Sequence, residues 1–156
     1  MSALSTLYDV DYSAWAAKTA DLLRQGRFSE LDLDHLVEEL GDMGKGQRYE
    51  LVSRLRILLA HLLKWQFQYR RLSERWAEFE GKSWRNTIIE QRLAMRYLLE
   101  ENPGLKGYLV AAVTKAYPQA LELAARESEL PAEAFPFRCP YALAQILDPD
   151  FHPHTG

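Results

Sequence analysis

Between Leu51 and Tyr69 the chain reads LVSRLRILLAHLLKWQFQY. Advancing this stretch by about 100° per residue gathers Leu51, Leu55, Leu58, Leu62, Trp65 and Tyr69 onto one narrow stripe. Val52, Leu59 and Leu63 widen the stripe on one side. An apolar arc of that width faces a core and exceeds what a two-helix seam needs. Ser53, Arg54, His61, Lys64 and Gln68 share the opposite, exposed side, interrupted by Ile57. Gln66 falls inside the apolar arc, so it calls for a hydrogen-bond partner wherever the arc is buried. No other stretch of the chain constrains the fold as strongly. Whatever else forms must cover this stripe.

The rest of the sequence supplies the cover. With 156 residues, 47% hydrophobic and 26% charged, the chain has the length and composition of one globular domain. The longest wholly apolar run, Tyr108 to Val113, is far too short to cross a bilayer. The first basic residue is Lys18, which argues against a secretory leader. A single cysteine excludes an internal disulfide and any multi-cysteine metal site. The expectation is a soluble cytoplasmic protein with no membrane partner. Charge is unevenly spread along it. Residues 1–50 carry five basic and ten acidic side chains, residues 51–100 ten and five, and residues 101–156 four and seven. Acidic flanks can neutralise a basic centre by packing around it, or the centre can meet an anionic partner.

Taken in order, residues 1–10 read as an extended N-terminal arm. Asp11 or Ser13 can cap a helix carrying Trp15, Ala16, Thr19, Leu22 and Leu23 on one face, which Gly26 stops. Asp32 can cap the next, LDHLVEELGDMG. Gly41, Gly44 and Gly46 each cost about 1 kcal/mol against alanine inside a helix, which predicts a break or kink before the long helix from about Gln47 to Tyr69. Arg70 to Lys82 reads as a connection, and Ser83 as the cap of a helix whose face is Trp84, Ile88, Met95, Leu98 and Leu99. Gln91 lies within that face, so Gln66 and Gln91 are expected to meet between antiparallel helices.

Asn102-Pro103 marks a boundary, with asparagine as cap and proline at the first helical position. Leu105, Leu109, Ala112, Val113 and Ala116 continue on one face until Pro118, which predicts a kink or restart. Pro131, Pro136 and Pro140 make the following segment irregular. Residues 141–147 form a short last helix, and 148–156 are a C-terminal tail. No stretch alternates as a strand does, and there is no internal repeat. The predicted fold is all-α, one domain spanning 1–156, a helical bundle of about five to six helices with a Pro-rich irregular C-terminal segment.

The words YDVDYSAW, LLRQGRFSELD, HLVEELGDMG, LLAHLLKWQFQ, SWRNTIIEQR, NPGLK, LPAEAFPFRCPY and ILDPDF occur in that order. Together they resemble a bacterial family catalogued only as a domain of unknown function, number twenty-nine. The resemblance covers nearly the whole chain and implies a compact helical protein. It carries over no activity and no catalytic residues. Residues 70–82 are longer than the connection the resemblance leads one to expect.

Few constellations of side chains in the chain have the makings of a chemical site. Carboxylate-bridged metal bundles need Glu-x-x-His on two helices, and no Glu-x-x-His occurs. His35 with Glu38 and Glu39 is half a site at most. Cys139, His152 and His154 have zinc-ligand chemistry but number only three. The sequence therefore points to no metal and no cofactor. No nucleophile elbow, phosphate loop or dinucleotide fingerprint occurs. His61 and Lys64, joined to Glu38 and Glu39, would be the acid–base group of an uncharacterised enzyme. Lys64, Arg70, Arg71, Arg75, Lys82 and Arg85, interleaved with Trp65, Phe67, Tyr69, Trp76, Phe79 and Trp84, have the composition of a single-strand nucleic-acid binder. An acidic pI of about 5.8 argues against a general one. The remaining class is a small protein–protein interaction module, binding an unknown protein or a second copy of itself, with Ile57 and Phe67 as apolar residues off the core stripe. That is the leading expectation.

Overall fold

The computed structural model describes residues 2–68 and 74–154, the stretch 74–80 by its backbone alone. Six α-helices follow one another: α1 (Ala3–Val10), α2 (Tyr12–Arg24), α3 (Leu33–Phe67), α4 (Glu74–Glu101), α5 (Leu109–Ser128) and α6 (Leu143–Leu147). Short 3₁₀ turns occur at Phe28–Glu30, Pro103–Tyr108 and Ala132–Ala134, and among the described residues there is no strand. The fold is all-α. Its contacts gather into two compact units, Met1–Gly46 and Gln47–Gly156, which refines the sequence reading of one undivided bundle.

In the first unit, the arm expected to be extended is instead helical. Ser2 caps α1 by accepting a hydrogen bond from the Ser5 N–H at 3.1 Å. One turn apart, Leu4, Leu7 and Tyr8 then share a face that packs against Trp15, Ala16, Leu22 and Leu36. Asp11 is the cap of α2, accepting from Ala14 N–H at 3.0 Å. Gly26 ends α2 with φ of 69°, the left-handed conformation that only glycine adopts without strain. Arg27 N–H reaches Leu22 C=O at 2.9 Å and Gly26 N–H reaches Leu23 C=O at 3.1 Å, the paired bonds of a Schellman stop.

The predicted break at Gly41, Gly44 and Gly46 does not occur, because α3 runs through all three. An added Cβ at any of them would meet nothing within 4 Å, so the glycines serve no close approach within the chain. Their propensity cost is outweighed by anchoring on either side. His35, Leu36 and Glu39 are tied to α1 and α2, while Leu51 and Leu55 begin the buried core of the second unit. The division between the units falls immediately after Gly46.

The second unit contains the core that the stripe demands. Leu51, Leu55, Leu58, Leu59, Leu62 and Leu63 are fully buried, with Ile88 and Met95 from α4 and Ile146 from α6. Ala112, Ala116, Ala120 and Ala124, four residues apart, line the buried side of α5. Two boundaries differ from the sequence reading. Helix α4 begins at Glu74, since good helix formers before Ser83 continue the helix despite Gly81. Ser83 therefore caps nothing, and its carbonyl accepts from Thr87 Oγ1 at 3.1 Å. Pro118 lies inside an uninterrupted α5: the proline is exposed, while Tyr117, Ala120 and Ala124 keep that turn docked on the core. Asn102 does stand before Pro103, but its amide donates back to Leu98 C=O at 3.1 Å and does not cap.

Polar contacts fix the ends of this core. Gln66 accepts from the Tyr141 hydroxyl at 2.8 Å, and Gln91 accepts from Arg54 at 3.4 Å. The two glutamines therefore do not meet. Gln91 sits level with Arg54, and Gln66 lies more than three turns further along α3, about 18 Å away. The buried Arg92 guanidinium donates to the carbonyls of Ile146 (2.9 Å), Phe151 (2.8 Å) and Gln145 (3.1 Å), holding the C-terminal segment onto α4.

Candidate interaction surface

One side of the first half of α3 is held by an aromatic and carboxylate cluster. Asp32 accepts from His35 Nδ1 at 2.6 Å and from the Trp15 indole N–H at 3.2 Å. Glu39 accepts from two phenols, Tyr8 on one oxygen and Tyr12 on the other, the latter at 2.6 Å. The rings reinforce the clasp. Tyr8 stacks on His35 with centroids 3.9 Å apart, and Trp15 meets Tyr8 edge to face at 4.9 Å. His35, Leu36 and Glu39 lie on neighbouring positions of the helix surface, so α1 and α2 grip one face of α3 and leave a neighbouring one open.

The charges of the cluster are matched. The hydrogen bond to Asp32 raises the His35 pKa above its ordinary value, against the opposing effect of burial. Burial disfavours the Asp32 carboxylate, but hydrogen bonds from His35 and Trp15 outweigh it and hold its pKa down. The bonds from Tyr12 and Tyr8 likewise lower Glu39 and raise both phenols. This is a histidine–carboxylate pair beside a carboxylate satisfied by two hydroxyls. All its acids and bases are spent on one another.

Along the open side stand Leu33, Val37 and Leu40, respectively 58%, 68% and 59% exposed, while exposed Met43 lies one turn beyond Glu39. Leu33, Val37, Leu40 and Gly44 follow the spacing of an apolar helix stripe. Further round the helix stand Asp34, Glu38 and Asp42, one turn apart and all exposed, Asp34 nearest the apolar row and Asp42 furthest from it. Among the described residues none of the three carboxylates has an ion-pair or hydrogen-bond partner. Clustered apolar exposure flanked by carboxylates without a direct ion pair is the composition of a recognition surface.

The residues singled out from sequence fall elsewhere. Glu38 and Glu39 belong to the first unit and have the surroundings just described. His61 and Lys64 belong to the second and are not on an exposed side. Lys64 is buried, its ammonium donating to Glu127 at 2.9 Å above the Trp84 ring. Half-buried His61 donates from Nδ1 to the Ile57 carbonyl at 2.8 Å. Burial and the neighbouring Lys64 charge push its pKa down, leaving a neutral ring. Arg85 is exposed and lies over Trp65, 5.7 Å from the ring, and Trp65 also meets His152 at 5.3 Å. Lys82 is exposed beside it in sequence. Arg70 and Arg71 lie outside the described residues, as does the side chain of Arg75. Where the basic segment is described, Lys64 and Trp84 are core residues, so it is not one continuous open surface.

Ile57 and Phe67, expected off the core, are both half-buried. Phe67 packs edge to face on Phe135 at 5.8 Å. Cys139 is half-buried, its thiol pKa raised by burial. Among the described residues no three His, Cys, Asp or Glu side chains stand close enough to share a metal ion. Leu33, Val37 and Leu40 are not among the residues singled out from sequence. They repeat at the period of Leu51 and Leu55, a register that the break expected at the glycines hides.

The family model described as Domain of unknown function DUF29 matches residues 7–152. Neither the curated proteins nor the solved structures contain a match to the chain.

Proposed function

We propose, from the premise that the chain belongs to the DUF29 family of unknown function, that it is a small helical protein–protein interaction module of the bacterial cytoplasm. One observation carries this reading. Leu33, Val37 and Leu40 form an exposed apolar row on a helix that α1 and α2 clasp by a neighbouring side. Leaving such a row in water forgoes about 1.5–3 kcal/mol for each large side chain that a partner could bury. The surroundings support it. The histidine and the tyrosine hydroxyls near this face are engaged in the clasp, and His61 and Lys64 are engaged within the second unit. Among the described residues no helix is long and apolar enough to cross a membrane, and the lone thiol suits a reducing compartment.

Site-specific photocrosslinking in the producing cell tests the reading. A photoreactive residue at Val37 should give discrete protein adducts that vanish when Leu40→Asp is added. The same probe at Glu122, on an exposed part of α5, should give none of them. Equal adduct patterns at the two positions would defeat the proposal.

A further inference from the structure

Resting on that reading, we infer that the partner presents a basic amphipathic helix to the Leu33–Leu40 face of α3. The apolar row supplies the groove wall for a helix with leucine-like residues one turn apart. Asp34 and Glu38, on the flank of that row away from the clasp, set the charge that must lie beside those residues. Neither carboxylate makes a direct ion pair among the described residues, so bringing them near lysine or arginine gains attraction without breaking one. Lys45 is the only lysine or arginine from Leu33 to Gly46, at the far end of the row. A partner helix of acidic character would meet like charge at Asp34 and Glu38. The face is also wide enough to be approached closely at Gly41 and Gly44, where no side chain intervenes.

The probe is a fluorescently labelled helical peptide of leucine and lysine in amphipathic order, with a leucine–glutamate peptide of the same pattern as control. Anisotropy titrations of the full chain should show the lysine peptide binding at least about tenfold more tightly than the glutamate one, with the difference shrinking as salt rises. Leu40→Asp should weaken the lysine peptide about tenfold. Asp34→Lys with Glu38→Lys should do the same and improve the glutamate peptide. Glu122→Lys, an equally exposed reversal on α5, should leave both unchanged, and circular dichroism verifies that each variant is folded.

If the glutamate peptide binds as well as the lysine peptide and both respond to Leu40→Asp, the partner chemistry is wrong while the surface reading survives. If neither peptide responds to Leu40→Asp, both readings fall. Wild-type self-association that Leu40→Asp abolishes would make the occupant a second copy and overturn the basic-helix assignment.

Discussion

Leu40 and Leu58 stand on the same line of one helix, five full turns apart, yet the first is 59% exposed and the second is fully buried. Nothing intrinsic to the two leucines separates them. The difference lies in what the chain brings against each half. In Gln47–Gly156, α4, α5 and α6 converge on the stripe with Ile88, Met95, the α5 alanines and Ile146. In Met1–Gly46 two short helices are available, and they take hold of α3 by another side. Among the described residues that unit buries Leu4, Trp15 and Leu22 as apolar core, and the Asp32 and Glu39 hydrogen bonds add to their hold. A unit of this size holds little apolar surface away from water, which leaves its stability sensitive to single contacts.

The largest effect should come from Trp15→Ala. It removes the centre of the small core together with the indole bond to Asp32, at a cost of about 3–5 kcal/mol. Hydrogen exchange should then show α1, α2 and the start of α3 losing protection while α4 and α5 keep theirs. Simultaneous loss in both units would mean that they fold as one cooperative block. Next comes the pair of leucines. Leu58→Ala should cost about 2–5 kcal/mol in chemical denaturation, and Leu40→Ala should stay within about 0.5 kcal/mol. A comparable cost at both sites would show that the open face is covered in the free protein.

A smaller stabilising effect is expected from Gly44→Ala. The site is helical and open, so the substitution should add about 0.5–1 kcal/mol, seen as a raised denaturation midpoint. Destabilisation would reveal a close approach at the glycines.

The subtlest test uses the two histidines of α3, whose pKa values move in opposite directions. His35 is raised by Asp32, so its contribution is complete below the ordinary histidine value of about 6.5 and fades as pH climbs through the higher folded-state value. His61 is lowered by burial and by Lys64, so the unfolded chain takes up a proton first and stability falls as pH drops below about 6.5. Alkaline drift should therefore loosen the first unit, and mild acid the second. Asp32 and Glu39 set the other limit of the first unit. Their lowered values keep their contribution in place above the carboxylate range and remove it as pH falls through the folded-state values. Ring-proton titration by NMR reads both histidines in one experiment. Shifts of the same sign would refute the assignment.

The parts of this architecture legible in the sequence were those written by strong local periodicity or by stereochemistry. The Leu51–Leu63 stripe, the Asp11 cap and the Gly26 stop each have one dominant physical cause, and each stands where expected. The misreadings share a pattern. Gly41, Gly44, Gly46 and Pro118 are penalties of about 1–3 kcal/mol that a helix anchored on both sides absorbs, and no local rule weighs such anchoring. Helical projection turns Lys64 away from the Leu51 stripe and so toward solvent, whereas Glu127, sixty-three positions later, is the partner that makes its burial tolerable. The open face was harder still. Exposure of Val37 and Leu40 depends on which other segments fail to reach them, and that is a property of the whole chain.

Arg92 has a consequence for the order in which the protein assembles. Its three carbonyl partners lie 53 to 59 positions away in the sequence. Contacts of that separation close a long loop, and the chain loses the corresponding entropy before the bonds return anything. The guanidinium closes that loop with three bonds at once, so a single side chain carries the repayment for bringing the last segment back to α4. Folding and unfolding rates of Arg92→Lys divide that contribution: a loss felt in unfolding alone places the clamp after the folding barrier, and a loss felt in folding places it before.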